Sequence, residues 1–126
     1  QDVTKLEADV LNTMYFENKG DSFQAKPLPT EVQFSPVYAI ASTDIDKDGD
    51  YDVVMGGNES MVRVRLGKSD ANRGLLLLND GAGNFSSMSQ PRAGLNVVGD
   101  VRSIIPIGDK IIFGINDDEI KAFKVR

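Results

Sequence analysis

Residues 44 to 52 read DIDKDGDYD and separate two short apolar runs, Val37–Ala41 and Val53–Met55. Five of these nine residues are aspartates at alternate positions: Asp44, Asp46, Asp48, Asp50 and Asp52. Because like charges repel one another, concentrating them in a folded loop is unfavourable unless a cation lies among them. The stretch therefore predicts a metal-binding loop between two β-strands, with a solvated acidic turn as the alternative.

The kind of metal follows from the available donors. The chain has no histidine and no cysteine, so the loop offers only oxygen ligands. Oxygen donors suit Ca²⁺ or Mg²⁺, and several anionic ligands in a flexible loop favour Ca²⁺ because Mg²⁺ requires a tighter octahedral geometry. Gly49 follows the third aspartate and permits the sharp turn that brings the chain back towards an ion. The sequence therefore predicts a Ca²⁺ site.

An EF-hand begins with the same Asp-x-Asp-x-Asp-Gly pattern, but its twelfth position is a bidentate Glu and a helix lies on each side. The twelfth position here is Met55, and both flanking runs are short and strand-like. The EF-hand and dockerin readings are therefore excluded.

Short apolar runs alternate with turns rich in Gly, Asn and Asp along most of the chain, a pattern typical of antiparallel β-structure. The predicted strands are Met14–Phe16, Val37–Ala41, Val53–Met55, Met61–Leu66, Leu75–Leu78, Val101–Ile105, Ile111–Ile115 and Ile120–Val125. The run of four leucines predicts a central strand that is buried on both faces. Residues 1–13 are predicted to form an N-terminal segment, either a short helix or a linker. The predicted fold class is all-β.

An internal repeat organises these strands. Three pairs of segments match: Asn18–Phe23 with Asn79–Phe85, Val37–Ile40 with Val101–Ile104, and Val53–Asn58 with Ile111–Asn116. Units of this size, with about four short strands, are typical of β-propeller blades. We therefore predict two antiparallel four-stranded blades, one over residues 14–66 with the acidic loop and a degenerate one over residues 67–126 without it. Two blades cannot close a ring, so the chain is expected to be part of a longer propeller; a free-standing β-sandwich is the alternative.

The order strand, Asp-x-Asp-x-Asp-Gly-x-x-Asp, strand resembles the calcium loop of FG-GAP repeats, which form the blades of integrin-α-like propellers. The wider sequence is similar to bacterial VCBS/FG-GAP-like proteins, including relatives of the cartilage acidic (ASPIC/UnbV) group. Segments that carry this resemblance include Gln33–Tyr38, Gly56–Asn58, Gly74–Gly81 and Gly99–Arg102.

The resemblance implies that the five aspartates coordinate the ion in two different ways. Asp50 would offer its backbone carbonyl to Ca²⁺ and turn its carboxylate to solvent. The other four would coordinate the ion by side chain: Asp44, Asp46, Asp48 and Asp52. The second unit lacks the loop and would bind no metal.

The predicted role of the ion is structural, and no residue set supports catalysis. Millimolar extracellular Ca²⁺ would saturate even a site with a Kd on the order of 10⁻⁴ M. Together with the resemblance, this predicts an extracytoplasmic, bacterial binding or adhesion module. Its expected partners are the remaining blades or another copy of the chain, and a protein or carbohydrate ligand. Two alternatives stay open: the propeller of a secreted carbohydrate-active enzyme with catalytic residues elsewhere, and a scaffold that binds only calcium.

Composition excludes two other classes of partner. The net charge is −5 and the pI is about 4.6, which disfavours nucleic acid because phosphate binding requires clustered cations. No apolar run is long enough to span a membrane. Scattered basic residues and tyrosines are weaker ligand candidates, and solvated or packing roles are the simpler interpretation: Arg63, Arg65, Lys68, Arg73, Arg102, Tyr15, Tyr38 and Tyr51.

Overall fold

The computed structural model describes residues 3–62, 65 and 67–124. They form nine β-strands, a 3-10 helix over Thr30–Phe34 and one short helix, α1, over Gln90–Ala93. The strands are β1 (Met14–Asn18), β2 (Phe23–Pro27), β3 (Val37–Thr43), β4 (Asp52–Gly57), β5 (Leu75–Asn79), β6 (Phe85–Ser87), β7 (Val101–Ile107), β8 (Lys110–Ile115) and β9 (Lys121–Lys124). All pairings between them are antiparallel, so the predicted all-β class is confirmed.

The strands form three sheets. They are the hairpin β1–β2, a four-stranded sheet in the order β3-β4-β5-β6, and a three-stranded sheet in the order β7-β8-β9. The four-stranded sheet covers residues 37–87 and so crosses the predicted boundary between residues 66 and 67. The described part of the predicted second unit holds five strands, of which β5 and β6 belong to the four-stranded sheet and β7, β8 and β9 form the three-stranded sheet. A repeat comparison gives the spacing of equivalent segments but not the point where one sheet ends, which explains the displaced boundary.

The structure also bears on two local predictions, the strand at Met61–Leu66 and the choice between a short helix and a linker at residues 1–13. Of the predicted strand Met61–Leu66, residues 63, 64 and 66 lie outside the described residues, and the other three lie in bends and a turn. Residues 3–13 contain no helix, and their larger apolar side chains are exposed. A segment this short needs tertiary packing to become helical in water, and no such packing is present there.

The main core lies between the four-stranded and three-stranded sheets. Val54 of β4 and Leu76 of β5 are fully buried and pack with Ile111 and Phe113 of β8. Successive strand residues point to opposite faces, so these side chains mark one face of each sheet. Ile45, at the start of the acidic loop, packs against the same core.

A second core covers the opposite face of the four-stranded sheet. Met55, Leu75 and Leu77 pack there with Val32 of the 3-10 helix. Tyr15 of the hairpin adds an edge-to-face contact with Phe85, at 5.2 Å between ring centroids. The strand β5 is therefore covered on both faces and lies between β4 and β6, which confirms the prediction that the leucine run forms a central strand.

Candidate metal centre

The acidic loop connects β3 to β4 at one end of the four-stranded sheet. Thr43 and Asp52 form the last pair of the β3–β4 ladder, and the eight residues between them form the loop. Lys47 and Gly49 have positive φ angles of 64° and 101°. These left-handed conformations reverse the chain, and a glycine adopts one without steric cost. The predicted role of Gly49 in the turn is therefore confirmed.

The turn brings three carboxylates together. Asp44, Asp46 and Asp48 each place one oxygen within 4.8 Å of the other two. Calcium–oxygen bonds are about 2.3–2.6 Å long, so two ligands on opposite sides of one ion lie about 5 Å apart. These three side chains could therefore hold a metal ion.

Among the three carboxylates, Asp44 would be stabilised most by a bound cation. Its Oδ2 accepts a hydrogen bond from the Gly49 amide at 3.2 Å. Its Oδ1 is buried and has no hydrogen-bond partner among the described residues. A buried acceptor without a partner costs about 1–3 kcal/mol, and more when it is charged. An ion within the cluster would remove this penalty.

The charges around Asp46 lead to the same conclusion. Partial desolvation raises the pKa of the Asp46 carboxyl, and the negative charges of Asp48 and Asp52 raise it further. Asp48 is held in place because its Oδ1 accepts a hydrogen bond from the Asp50 amide at 3.0 Å. The loop thus holds Asp46 where the charges of Asp48 and Asp52 raise the pKa of its carboxyl, and a bound cation would reverse that effect.

Asp52 is fully buried and holds the loop on the sheet. Its Oδ2 accepts a hydrogen bond from the Ile45 amide at 2.8 Å, and its Oδ1 accepts one from the Asn79 amide at 3.0 Å. Asp52 is not part of the three-carboxylate group. Each carboxylate oxygen keeps a second lone pair, so coordination of the ion by Asp52 stays a prediction.

Asp50 occupies a different place from the one expected for its side chain. Its carboxylate was expected in solvent, but the residue is half-buried and its Oδ2 lies against Gly81 in the β5–β6 turn, residues 80–84. A methyl group on Gly81 would overlap this oxygen. The side chain therefore packs against a neighbouring turn because Gly81 leaves room for it. Coordination by the Asp50 carbonyl stays a prediction.

The equivalent connection in the second unit is the tight β7–β8 turn. There Asp109 forms an ion pair with Lys124 of β9, with 2.9 Å between Oδ2 and Nζ. The ammonium group lowers the pKa of the Asp109 carboxyl through a hydrogen bond and its charge. A lysine thus supplies the positive charge at this turn.

A second polar cluster, at the opposite end of the four-stranded sheet, was not anticipated from the sequence. The guanidinium of Arg102 lies 4.3 Å from the ring centroid of Tyr38 and donates hydrogen bonds to the Asn58 carbonyl at 3.0 Å and to Glu59 at 3.1 Å. Tyr38 and Arg102 both lie where the ladder register shifts, and a β-bulge redirects the side chain at such a point. The repeat comparison pairs these two positions, but equivalence in a repeat does not predict a contact, so the sequence carries no signal for this one.

The structure gives less support to a ligand-binding role for the other basic candidates. Arg65 and Lys68 are exposed, and Arg63 lies outside the described residues. Arg73 lines a shallow cavity beside Glu31 and Phe34.

Among the residues that the structure describes, no helix combines the length and apolar composition needed to cross a membrane. Comparison of the chain with protein-family models, with curated proteins and with solved structures finds no match.

Proposed function

We propose that the chain is a calcium-stabilised part of an FG-GAP-like β-propeller that acts as a binding, adhesion or structural module outside the cytoplasm. The observation that carries this proposal is the meeting of the exposed carboxylates Asp44, Asp46 and Asp48, of which Asp44 also has a buried Oδ1 without a hydrogen-bond partner among the described residues. These three carboxylates would hold the ion. By the resemblance stated above, the Asp50 carbonyl and the Asp52 carboxylate would complete its coordination.

Calcium is favoured because every donor in the loop is an oxygen and three carboxylates converge there. The bound ion would neutralise the loop and stabilise the folded state by RT ln(1 + [Ca²⁺]/Kd). At 1 mM Ca²⁺ and a Kd on the order of 10⁻⁴ M this is about 1.4 kcal/mol. Cytosolic Ca²⁺ would leave such a site empty, which supports the extracytoplasmic location.

The sheet packing supports a propeller. The central strands β4 and β5 of the four-stranded sheet are covered on both faces, whereas the outer sides of the other two sheets carry exposed apolar residues. Phe16 and Phe23 lie on the hairpin, and Ile105 and Ile107 lie on β7. Further sheets, from a longer chain or from another copy, would cover these faces. The module would then present its free loops to a protein or carbohydrate ligand.

A catalytic role receives less support. Asp100, Asp117 and Asp118 line a cavity of about 260 Å³ away from the acidic loop. Burial raises the pKa of the Asp100 carboxyl, but hydrogen bonds from Ser60 and the charge of Arg102 lower it below its ordinary value. A glycosidase general acid needs the opposite shift. We therefore propose a non-catalytic module.

Thermal denaturation tests this proposal. The wild-type chain in EDTA should gain about 5 °C in Tm when 1 mM free Ca²⁺ is supplied. Asp46→Ala should abolish the gain, and Asp109→Ala, which removes an acidic group outside the loop, should keep it. A calcium response that survives Asp46→Ala would overturn the assignment.

A further inference from the structure

The acidic loop is attached to the neighbouring β5–β6 turn at several points. The Asn79 amide donates to Asp52 Oδ1, and the Asn79 side-chain Nδ2 donates to the Tyr51 carbonyl at 3.3 Å. The Asn79 Oδ1 accepts a hydrogen bond from the Gly83 amide at 3.2 Å. With the Asp50 carboxylate against Gly81, the last three residues of DIDKDGDYD all contact this turn or its first flanking residue.

The same turn holds the β1–β2 hairpin. Lys26 Nζ donates to the Ala82 and Gly83 carbonyls at 3.3 and 3.5 Å, and it also pairs with Glu17 across the hairpin at 3.0 Å. The Tyr15 ring lies within van der Waals distance of the position that a Gly83 side chain would take. The hairpin therefore contacts the turn through two hydrogen bonds and a ring.

The hairpin depends on such contacts for its stability. An isolated two-stranded hairpin is marginal in water, and β2 is exposed along most of its length. At its other end Thr13 exchanges hydrogen bonds with the Gln33 side chain at 2.7 and 3.2 Å. These anchors, together with the Tyr15–Phe85 contact, attach the hairpin to the rest of the chain.

We propose that metal occupancy of the acidic loop is transmitted through the β5–β6 turn and stabilises the docking of the β1–β2 hairpin. This inference rests on the proposed function of the loop. An ion that fixes residues 50–52 also fixes Asn79 and Gly81, which orders the carbonyls that Lys26 binds. Local opening of the hairpin then requires breaking contacts with an ordered turn, so its opening free energy rises.

Hydrogen exchange measured by mass spectrometry tests this coupling. In the wild-type chain, 1 mM free Ca²⁺ should slow exchange in residues 44–52 and also in residues 14–27. For a site with a Kd on the order of 10⁻⁴ M the slowing reaches at most about tenfold. Lys26→Met keeps the apolar stem and removes the ammonium. It should leave the calcium effect at the loop intact and abolish the effect at the hairpin.

Two further variants control the result. Lys19→Met removes an ion pair with Glu17 at the tip of the hairpin but no contact with the β5–β6 turn, so both calcium effects should remain. Asn79→Ala removes the side-chain hydrogen bonds to the Tyr51 carbonyl and from the Gly83 amide, keeps the backbone bond to Asp52 and leaves Lys26 in place, so the hairpin effect should fall well below that of the wild type. This variant replaces Lys26→Met if the latter opens the hairpin even in EDTA.

The outcomes separate the two claims. Absence of a calcium effect at both segments contradicts the proposed metal site. An effect at residues 44–52 without one at residues 14–27 overturns the coupling and leaves the metal site standing. A hairpin effect that persists in both Lys26→Met and Asn79→Ala also overturns the proposed path.

Discussion

The buried carboxylate of Asp52 accepts a hydrogen bond from the backbone amide of Asn79 at 3.0 Å, across the β4–β5 pair. Its second oxygen accepts the Ile45 amide at 2.8 Å. One side chain therefore joins the start of the acidic loop to the end of a neighbouring strand. Both bonds join protein groups only.

Asp52→Ala should accordingly destabilise the chain with or without calcium. Two partly buried amides lose their acceptor, and an unsatisfied buried group costs about 1–3 kcal/mol. We expect a loss of about 2–4 kcal/mol in the free energy of unfolding, measured by urea denaturation in EDTA. Asp46→Ala is the matched variant, and it should lose stability only in the presence of Ca²⁺. Equal stability of Asp52→Ala and wild type in EDTA would show that the two hydrogen bonds contribute nothing.

Gly81→Ala tests the contact between the β5–β6 turn and the acidic loop. Gly81 has a φ of 74°, and an added methyl group would overlap the Asp50 carboxylate. Gly108→Ala is the control because Gly108 has a φ of 60° with open space where the methyl group would lie. The control should cost about 1 kcal/mol through backbone strain alone, whereas Gly81→Ala should cost more and should weaken calcium binding. Equal losses in the two variants would argue against the contact.

The pH dependence of stability should report on Asp100. Burial raises the pKa of the Asp100 carboxyl, but two hydrogen bonds from Ser60 and the charge of Arg102 together lower it by a larger amount. The folded-state pKa therefore lies below the unfolded one. A carboxyl group of this kind stabilises the folded protein above its unfolded pKa. The contribution is lost as the pH falls through the folded pKa. Asp100→Asn should therefore reduce the decline in unfolding free energy below about pH 4, and an unchanged decline would contradict this role.

Core truncations should reveal that the two outer sheets differ from the central one. Leu76 is 1% exposed between the four-stranded and three-stranded sheets, whereas Ile105 is 54% exposed on β7. Leu76→Ala should cost about 2–5 kcal/mol through lost burial and the cavity it leaves. Ile105→Ala should cost less than about 1 kcal/mol in the chain alone. Comparable losses in urea denaturation would mean that the outer face of β7 is covered.

Much of the fold follows from local sequence patterns. The apolar run at Val53–Met55 and the leucines at Leu75–Leu78 predict strands because a strand that is buried within a sheet consists mainly of apolar residues. The repeat does not predict where each sheet begins and ends. The same segments match one another wherever the first residue of a repeat unit is placed. The pairing of β4 with β5 also spans seventeen intervening residues, and the length of that interval carries no information on which strands pair.

Only part of the candidate site could be predicted from the sequence, because only part of it depends on the local path of the chain. Alternation of aspartates in a tight turn indicates that Asp44, Asp46 and Asp48 converge, because that depends on the local chain path. The hydrogen bond from Asn79 to Asp52 depends on a strand that pairs only in the folded sheet, so no local pattern reveals it. The stacking of Tyr38 on Arg102 likewise requires two sheets to meet.

Isothermal titration of the metal-free chain with Ca²⁺ tests the central claim most directly. We predict one site, tighter for Ca²⁺ than for Mg²⁺, that is lost in Asp46→Ala and retained in Asp109→Ala. Absence of calcium binding by the wild-type chain, or unchanged binding by Asp46→Ala, would contradict the assignment of DIDKDGDYD as a calcium loop.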